Sequence, residues 1–288
     1  MEAGNARVEF VARVSEHAMS DNRARDYVRS VTRVDSWQKV SECPVDAVVV
    51  ATPPDSHEEI CEHFLSKGIP VMVEKPMALT VGAALAIKDA ASKTGAPVLI
   101  NNVHLFAPAY GVLREKVQAL SDRRFRVYAR AGSSGPHRSY SALWDYGPHD
   151  VAMCLGLGLG NPTGVTCMRM PDEFGCVHLG AQRFDVNVSF GRHEANIQVW
   201  NGALPKQRHF EVICEGTRLV YDELEPNGLV LRCNNRPLDV SKDRPLACAV
   251  RAFAEAVRTG VTDWRFGAEI GVVTTRILHT ADTGTVHA

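Results

Sequence analysis

At 288 residues the chain is long enough for two domains of ordinary size, each with its own core. A formal net charge of −1, with 23% charged and 45% hydrophobic residues, gives no global pull toward nucleic acid or an acidic membrane surface. The longest apolar runs, such as residues 47–51, are far too short to span a bilayer, and residues 1–7 are polar and small rather than a charged-then-apolar leader, so a cytoplasmic protein is expected.

The first third alternates strand and helix patterns. Residues 8–14 read as a strand and the polar stretch 20–30 as a helix. A β-branched run over 47–51 suits a strand buried on both faces, and Thr52-Pro53-Pro54-Asp55 stops it. Residues 56–67 carry Ile60, Phe64 and Leu65 at helical spacing, with Gly68 as the terminator. Residues 71–74 form a further strand closed by Lys75-Pro76. Thr80 is placed to cap a helix running to Thr94, which Gly95 ends, and residues 97–103 read as the next strand. Repeated β-α-β of this kind predicts a parallel, doubly wound, Rossmann-like sheet over residues 1–105, which binds ligands at the carboxyl ends of its strands.

From about residue 124 the pattern changes to short alternating segments at 125–131, 165–170, 176–179, 184–190, 195–200, 210–214, 218–221 and 229–233. Turn residues separate them, which predicts a large, mostly antiparallel sheet. Helices over 245–258 and 267–280 close the chain, giving an α+β domain over residues 106–288. Gly156, Gly158 and Gly160 follow an apolar helix and read as its terminus, not as a phosphate loop. Eight cysteines include no C-x-x-C pair and no Cys/His cluster at metal spacing, so they read as inert thiols and no metal is expected.

Three local signals carry chemistry. The first is Ala51-Thr52-Pro53-Pro54-x-x-His57 after a buried strand, and the second is Glu74-Lys75-Pro76 at the end of the next one. Both put polar groups at the carboxyl ends of adjacent parallel strands, where the crevice lies. An ammonium at Lys75 can orient a hydroxyl or carbonyl and bias proton movement. Pro76 rigidifies its turn, and its peptide bond can be cis at little cost. The third signal is Trp144-Asp145-Tyr146-Gly147-Pro148-His149-Asp150, with Pro148 suited to the first helical position. Asp145 and His149 would then share a first turn and a hydrogen bond, which holds the imidazole's tautomer and suits proton transfer with a substrate hydroxyl. Each signal alone also reads as turn or capping chemistry.

In this order and spacing the three signals resemble the Gfo/Idh/MocA family, and the likeness extends from Val8 onward. Pro245-Leu246, Arg251-Ala252-Phe253, Val257-Arg258 and Gly260 are similar to the family's penultimate helix. The resemblance implies hydride transfer between NAD or NADP and a hydroxyl-bearing carbon of a sugar, cyclitol or nucleotide sugar. It implies catalytic roles for Lys75, Asp145 and His149, with His149 as general acid/base. Ser15, Thr52, Pro53, His57, Glu74 and Lys75 would surround the cofactor. It also implies a homo-oligomer, dimer or tetramer, for which the segments 184–190 and 195–200 are candidates, and no nucleic-acid or membrane partner.

The chain departs from the family pattern at three places. No G-x-G-x-x-G precedes the strand at 8–14, so a front end shortened by one βα unit is expected, with residues 8–14 pairing directly beside 47–51. Ser15 stands where NAD-using relatives carry Asp, which favours NADP, while Glu16 opposes a 2′-phosphate. Asn101-Asn102-Val103-His104 replaces an Asn/Arg pattern near the substrate, which makes His104 a substrate candidate, or else a partly buried strand-end histidine; Tyr146 is a second substrate candidate. The loop at 131–143, including Ser133-Ser134-Gly135-Pro136-His137-Arg138, is left to set specificity. Two functions therefore compete: an NAD(P)-dependent oxidoreductase, or a cofactor-independent binding or partner subunit of the same fold.

Overall fold

A computed structural model describes residues 10–12, 31–134, 140–170, 181–202, 204–224 and 230–287. Ser15, the expected helix at 20–30, the segment at 176–179 and most of the loop after Ser134 lie outside the described residues.

The first half holds two small parallel sheets. β1 (Phe10–Ala12) pairs in parallel with β2 (Thr32–Val34), and a short helix α1 (Trp37–Val40) follows. β3 (Val48–Val50), β4 (Val71–Val73) and β5 (Val98–Ile100) form a second sheet in that order. The expected pairing of residues 8–14 with 47–51 is therefore not made. A Thr-Arg-Val strand too short to announce itself by periodicity takes β1 instead, reached by a crossover long enough for parallel pairing. Nor is β3 buried on both faces: it is an edge strand of its sheet, and Val49 is 63% exposed.

α2 (His57–Leu65) and α3 (Val81–Thr94) connect these strands. Thr80 caps α3 by accepting from the Ala83 N–H at 3.1 Å, and Gly95 ends it at φ 73°. Strand side chains alternate: Val71, Val73, Val98 and Ile100 pack with α2 and α3, while Met72 and Leu99 face the core of the second half.

α4 (Pro108–Gln118) leads into that second half, its Pro108 at the first helical position and Tyr110, Leu113 and Val117 buried. β6 (Arg126–Ser133), α5 (Ala142–Gly156), β7 (Gly164–Arg169), β8 (Gln182–Phe190) and β9 (His193–Asn201) follow. Next come β10 (Gln207–Cys214), β11 (Thr217–Asp222), β12 (Val230–Cys233) and β13 (Arg236–Leu238). Asn234 and Asn235, at φ 49° and 64°, make the two-residue turn of the last hairpin. α6 (Pro245–Thr259), α7 (Glu269–Thr283) and β14 (Thr285–His287) complete the chain. The nine strands run β13-β12-β11-β10-β6-β9-β8-β7-β14, antiparallel except at β6–β9 and β7–β14.

One face of this sheet is apolar and takes α5, buried on almost every side; the other is polar. α7 returns to the first half: Val272 joins the core under β4 and β5, and Thr275 donates to the Ala78 carbonyl at 3.4 Å. The three-stranded sheet is thus pinned against α5, and their meeting line is where the polar groups collect.

Candidate active site

The strand ends of β3, β4 and β5 are tied together by main-chain bonds. Glu74 N–H donates to Val50 O at 2.8 Å, and Asn101 N–H donates to Val73 O at 2.7 Å. This register sets Glu74 beside Asn101, whose Nδ2 donates to Glu74 Oε1 at 2.6 Å. Asn101 Oδ1 and Asn102 Oδ1 are buried with no partner. Thr52 and Pro53 stand at the end of β3, Thr52 half-buried and accepting from Ser56 Oγ at 2.7 Å, Pro53 exposed.

His57 is a different case. It is fully buried, with Nε2 2.9 Å from Thr52 O and Nδ1 3.0 Å from Pro76 O. Both ring nitrogens face main-chain carbonyls, so His57 ties the β3 turn to the β4 turn. The Lys75–Pro76 peptide in that turn is cis.

Lys75 crosses from β4 to α5. Its Nζ donates to Asp145 Oδ1 at 2.8 Å and to Asp145 O at 2.6 Å, with side chains only 15% and 9% exposed. The helix carrying Asp145 begins at Ala142, so Pro148 lies inside it and not at its first position. An interior proline cannot donate to the carbonyl four residues back and presses against it, which loosens the turn from Trp144. The Asp145 carbonyl in that loosened turn accepts from Lys75. Asp145 therefore serves the lysine rather than His149, contrary to the expected Asp–His pair. His149 Nδ1 is buried and has no hydrogen-bond partner. Tyr146, half-buried, shares a hydrogen bond with Ser133 Oγ at 3.0 Å.

Behind His149 lies a buried charged network. His104, on the turn Val103–Phe106 after β5, packs edge-to-face with His149, with centroids 4.6 Å apart and planes at 80°. His104 is only 8% exposed, and its Nδ1 is 2.5 Å from Glu223 Oε1. Tyr221 Oη also donates to Glu223 Oε1 at 2.6 Å. Arg208 on β10 reaches Asp150 Oδ2 through Nη1 at 3.2 Å, while its Nη2 is buried without a partner.

Burial, then the charges of Arg208 and Lys75, hold His104 and His149 below the ordinary imidazole range, and both are neutral near pH 7. Burial would raise Glu223, but hydrogen bonds from His104 and Tyr221 and the Arg208 charge outweigh it and keep the carboxylate ionised. Burial pushes Asp150 up to about 6 despite Arg208.

Arg208, Tyr221, Glu223 and Asp150 are the members sequence reading missed. A signal existed: Arg208 shares the inward phase of Phe210 and Val212, and Glu223 that of Leu219 and Tyr221. A charge at an apolar phase must find a partner or leave the core.

A nicotinamide nucleotide fits what the strand ends offer. Two unpartnered amide oxygens and the Glu74 carboxylate are acceptors for ribose hydroxyls or a carboxamide N–H, in the crevice where such sheets hold nucleotides. Among the described residues no group of three His, Cys, Asp or Glu is placed to hold a metal, and no helix is long and apolar enough to cross a membrane.

Residues 2–102 match an oxidoreductase family with an NAD-binding Rossmann fold, GFO_IDH_MocA. Inositol 2-dehydrogenase of Rhizobium meliloti is 27% identical over 175 residues, which are 57% of this chain and 52% of that protein. Inositol 2-dehydrogenase 2 of Saccharopolyspora erythraea is 35% identical over 77 residues, 26% of this chain and 23% of that protein. The matches thus span about half or less of those relatives' own length. A crystal structure of a presumed oxidoreductase from Magnetospirillum magnetotacticum MS-1 superposes with a TM-score of 0.81 at 28% identity, covering 96% of this chain and 92% of that one.

Proposed function

We propose that this chain, which belongs to the Gfo/Idh/MocA family of NAD(P)-dependent oxidoreductases, moves a hydride between NAD or NADP and a hydroxyl-bearing carbon of a sugar, cyclitol or nucleotide sugar. The observation that carries this reading is the Lys75–Asp145 pair, which bridges the nucleotide crevice and the sheet domain. When bound, the nicotinamide supplies hydride transfer. Glu74, Asn101, Thr52 and Pro53 border its place at the strand ends. Lys75 Nζ donates a hydrogen bond to the substrate oxygen and stabilises the charge that develops there. Asp145 fixes the ammonium and balances its charge. His149, neutral, takes the hydroxyl proton or returns it as general acid/base. The same proposal includes a cytoplasmic homo-oligomer formed through the polar face of the nine-stranded sheet, which exposes Tyr128, Met168 and Ile213.

The test is titration of the 288-residue protein with NADH and NADPH by nucleotide fluorescence, with Lys75→Ala as control, followed by inositols and aldoses as substrates. Micromolar binding that Lys75→Ala weakens at least tenfold supports the proposal. No binding at millimolar nucleotide rejects it and leaves the second reading, a family member that binds a partner without redox chemistry.

A further inference from the structure

We propose that Arg208 and Asn201 select the substrate: Arg208 Nη2 donates to one hydroxyl of an uncharged, polyhydroxylated ring, and Asn201 Oδ1 accepts from another. What happens to that ring rests on the oxidoreductase reading; its seat on the sheet does not.

Along the sheet, the side chains that face α5 are apolar until the end nearest the first turns of that helix. Phe210 and Val212 on β10, Ile197 and Val199 on β9, and Phe184 and Val186 on β8 are all core residues. One pleat further the same phase turns polar on five adjacent strands: Glu223 after β11, Arg208 on β10, Ser133 on β6, Asn201 on β9 and Gln182 on β8. Ser133 stands opposite Asn201, and Asn201 opposite Gln182, while the Glu223 N–H donates to Arg208 O at 3.2 Å. Three of the five side chains have partners in the fold. Glu223 takes His104 and Tyr221, Ser133 shares a hydrogen bond with Tyr146, and Gln182 Oε1 accepts from the Ala142 N–H at 2.9 Å.

Two atoms are left over. Arg208 is 8% exposed and gives Nη1 to Asp150, the residue after His149, at 3.2 Å; its Nη2 is buried with no partner among the described residues. Asn201 is 3% exposed, and its Oδ1 is likewise buried and unmet. Such atoms destabilise the fold, and a ligand that meets both removes the penalty. One can only donate and the other only accept, which two hydroxyls of one ring satisfy. Arg208 and Asn201 lie two strands and two residues apart, roughly 12 Å between Cα atoms at standard sheet spacings, a span that one six-membered ring fills once both side chains are allowed for. The same helix turns carry His149 and Asp145, which holds Lys75, so the seat adjoins the reacting end.

Charge sets the ligand class. Lys75 and Arg208 bring two positive charges to this region, and Asp145, Asp150 and Glu223 bring three carboxylates. A carboxylate or phosphate on the end that meets the sheet would add a like charge to a buried cluster already balanced toward negative. A hydroxyl adds none.

Saturation-transfer NMR titrations of the full chain with myo-inositol, D-glucose and D-glucuronate, each with and without NADH, test this without turnover. The two neutral probes should bind, and D-glucuronate should bind at least tenfold more weakly than D-glucose. Arg208→Lys keeps a cation for Asp150 but loses the second N–H of the fork, and Asn201→Leu removes the acceptor at nearly constant shape. Each should weaken binding of the neutral probes roughly tenfold. Asn201→Leu should also leave the urea midpoint unchanged or raise it, because it deletes an unmet polar atom; a merely structural asparagine would lower it. Neutral probes that bind both variants as tightly as wild type overturn the proposal. So does D-glucuronate binding as well as D-glucose, or neither neutral probe binding under either condition. If Arg208→Lys does not fold, Asn201→Leu and the probe series decide. Neutral probes bound as expected with no NADH binding count against the oxidoreductase reading and leave the seat standing. NADH binding with probe affinity untouched by both variants does the reverse.

Discussion

Asp150 offers the sharpest energetic test of the buried network. It is 1% exposed, and its ion pair with Arg208 is a single contact at 3.2 Å. Burial outweighs that pair and lifts the carboxyl from its ordinary 3.8 to about 6. A group whose folded pKa is raised holds its proton more tightly in the folded state. Its stabilising contribution is therefore complete below the unfolded value and is lost as pH rises through about 6. The difference of roughly two pKa units corresponds to about 3 kcal/mol. Asp150→Asn removes the titration while keeping the shape. Urea unfolding of both proteins, from about pH 4 to pH 8, should show wild type losing about 3 kcal/mol relative to the variant, most of it between the two pKa values. Taking the difference between the two proteins cancels the shared contributions of His104 and His149, which act oppositely: folded pKa values below ordinary weaken the fold as pH falls. A flat difference curve, or wild type gaining on the variant as pH rises, would show Asp150 to be an ordinary stabilised carboxylate and would refute the argument from burial.

Two glycine substitutions should separate backbone from side-chain crowding. A Cβ on Gly132 would strike the Trp200 main-chain oxygen and its indole across the β6–β9 pair, atoms that cannot move aside, so Gly132→Ala should cost about 3 kcal/mol or more by urea unfolding. At Gly271 the Cβ would meet Met77 Sδ at 2.6 Å, the end of a flexible side chain, and Gly271→Ala should cost only about 1 kcal/mol. Equal losses would show that the crowding at Gly132 is relieved by adjustments not evident in the sheet. Thr80→Ala should lower stability by about 1 kcal/mol, because the Ala83 N–H loses its acceptor at the start of α3; an unchanged unfolding midpoint would discount that cap.

Much of the fold was legible because its signals are local. Thr80 and Gly95 bracket α3, and the alternation in β8 and β9 follows the burial pattern residue by residue. The helix from Pro108 escaped notice because a proline and a glycine dilute its apolar face, although Tyr110, Leu113 and Val117 keep helical spacing. Strands such as Thr32–Val34 and Arg236–Leu238 are three residues long, too short for period two to show. Lys75 and Asp145 were legible as motif members, yet their partnership was not. Spacing within one helix suggested Asp145 with His149, while the carboxylate answers to an ammonium 70 residues away. Sequence distance hides any contact made between elements. The compensating clue is polarity at an apolar phase, as at Arg208 and Glu223.

The way α7 is packed explains why a site assembled from such distant parts can hold its geometry. Lys75 belongs to a sheet of three short strands, and Asp145 to a helix bedded on a sheet of nine. Among the described residues neither sheet fixes the other by hydrogen bonds, so the 2.8 Å Lys75–Asp145 contact depends on what clamps them. α7 touches both sides: Gly271 lies against Met77 and Ile100, Leu278 against Gly147 in the turn after Asp145, and Asp282 accepts from Trp144 Nε1 at 3.1 Å. At Gly147, only two residues from Asp145, an added Cβ would lie 2.8 Å from Leu278 Cδ2, so the helix bearing the carboxylate packs closely against the clamp. The Lys75–Asp145 pair is thus located by apolar contacts on the opposite side of α5, and changes there should act on Lys75 without touching it.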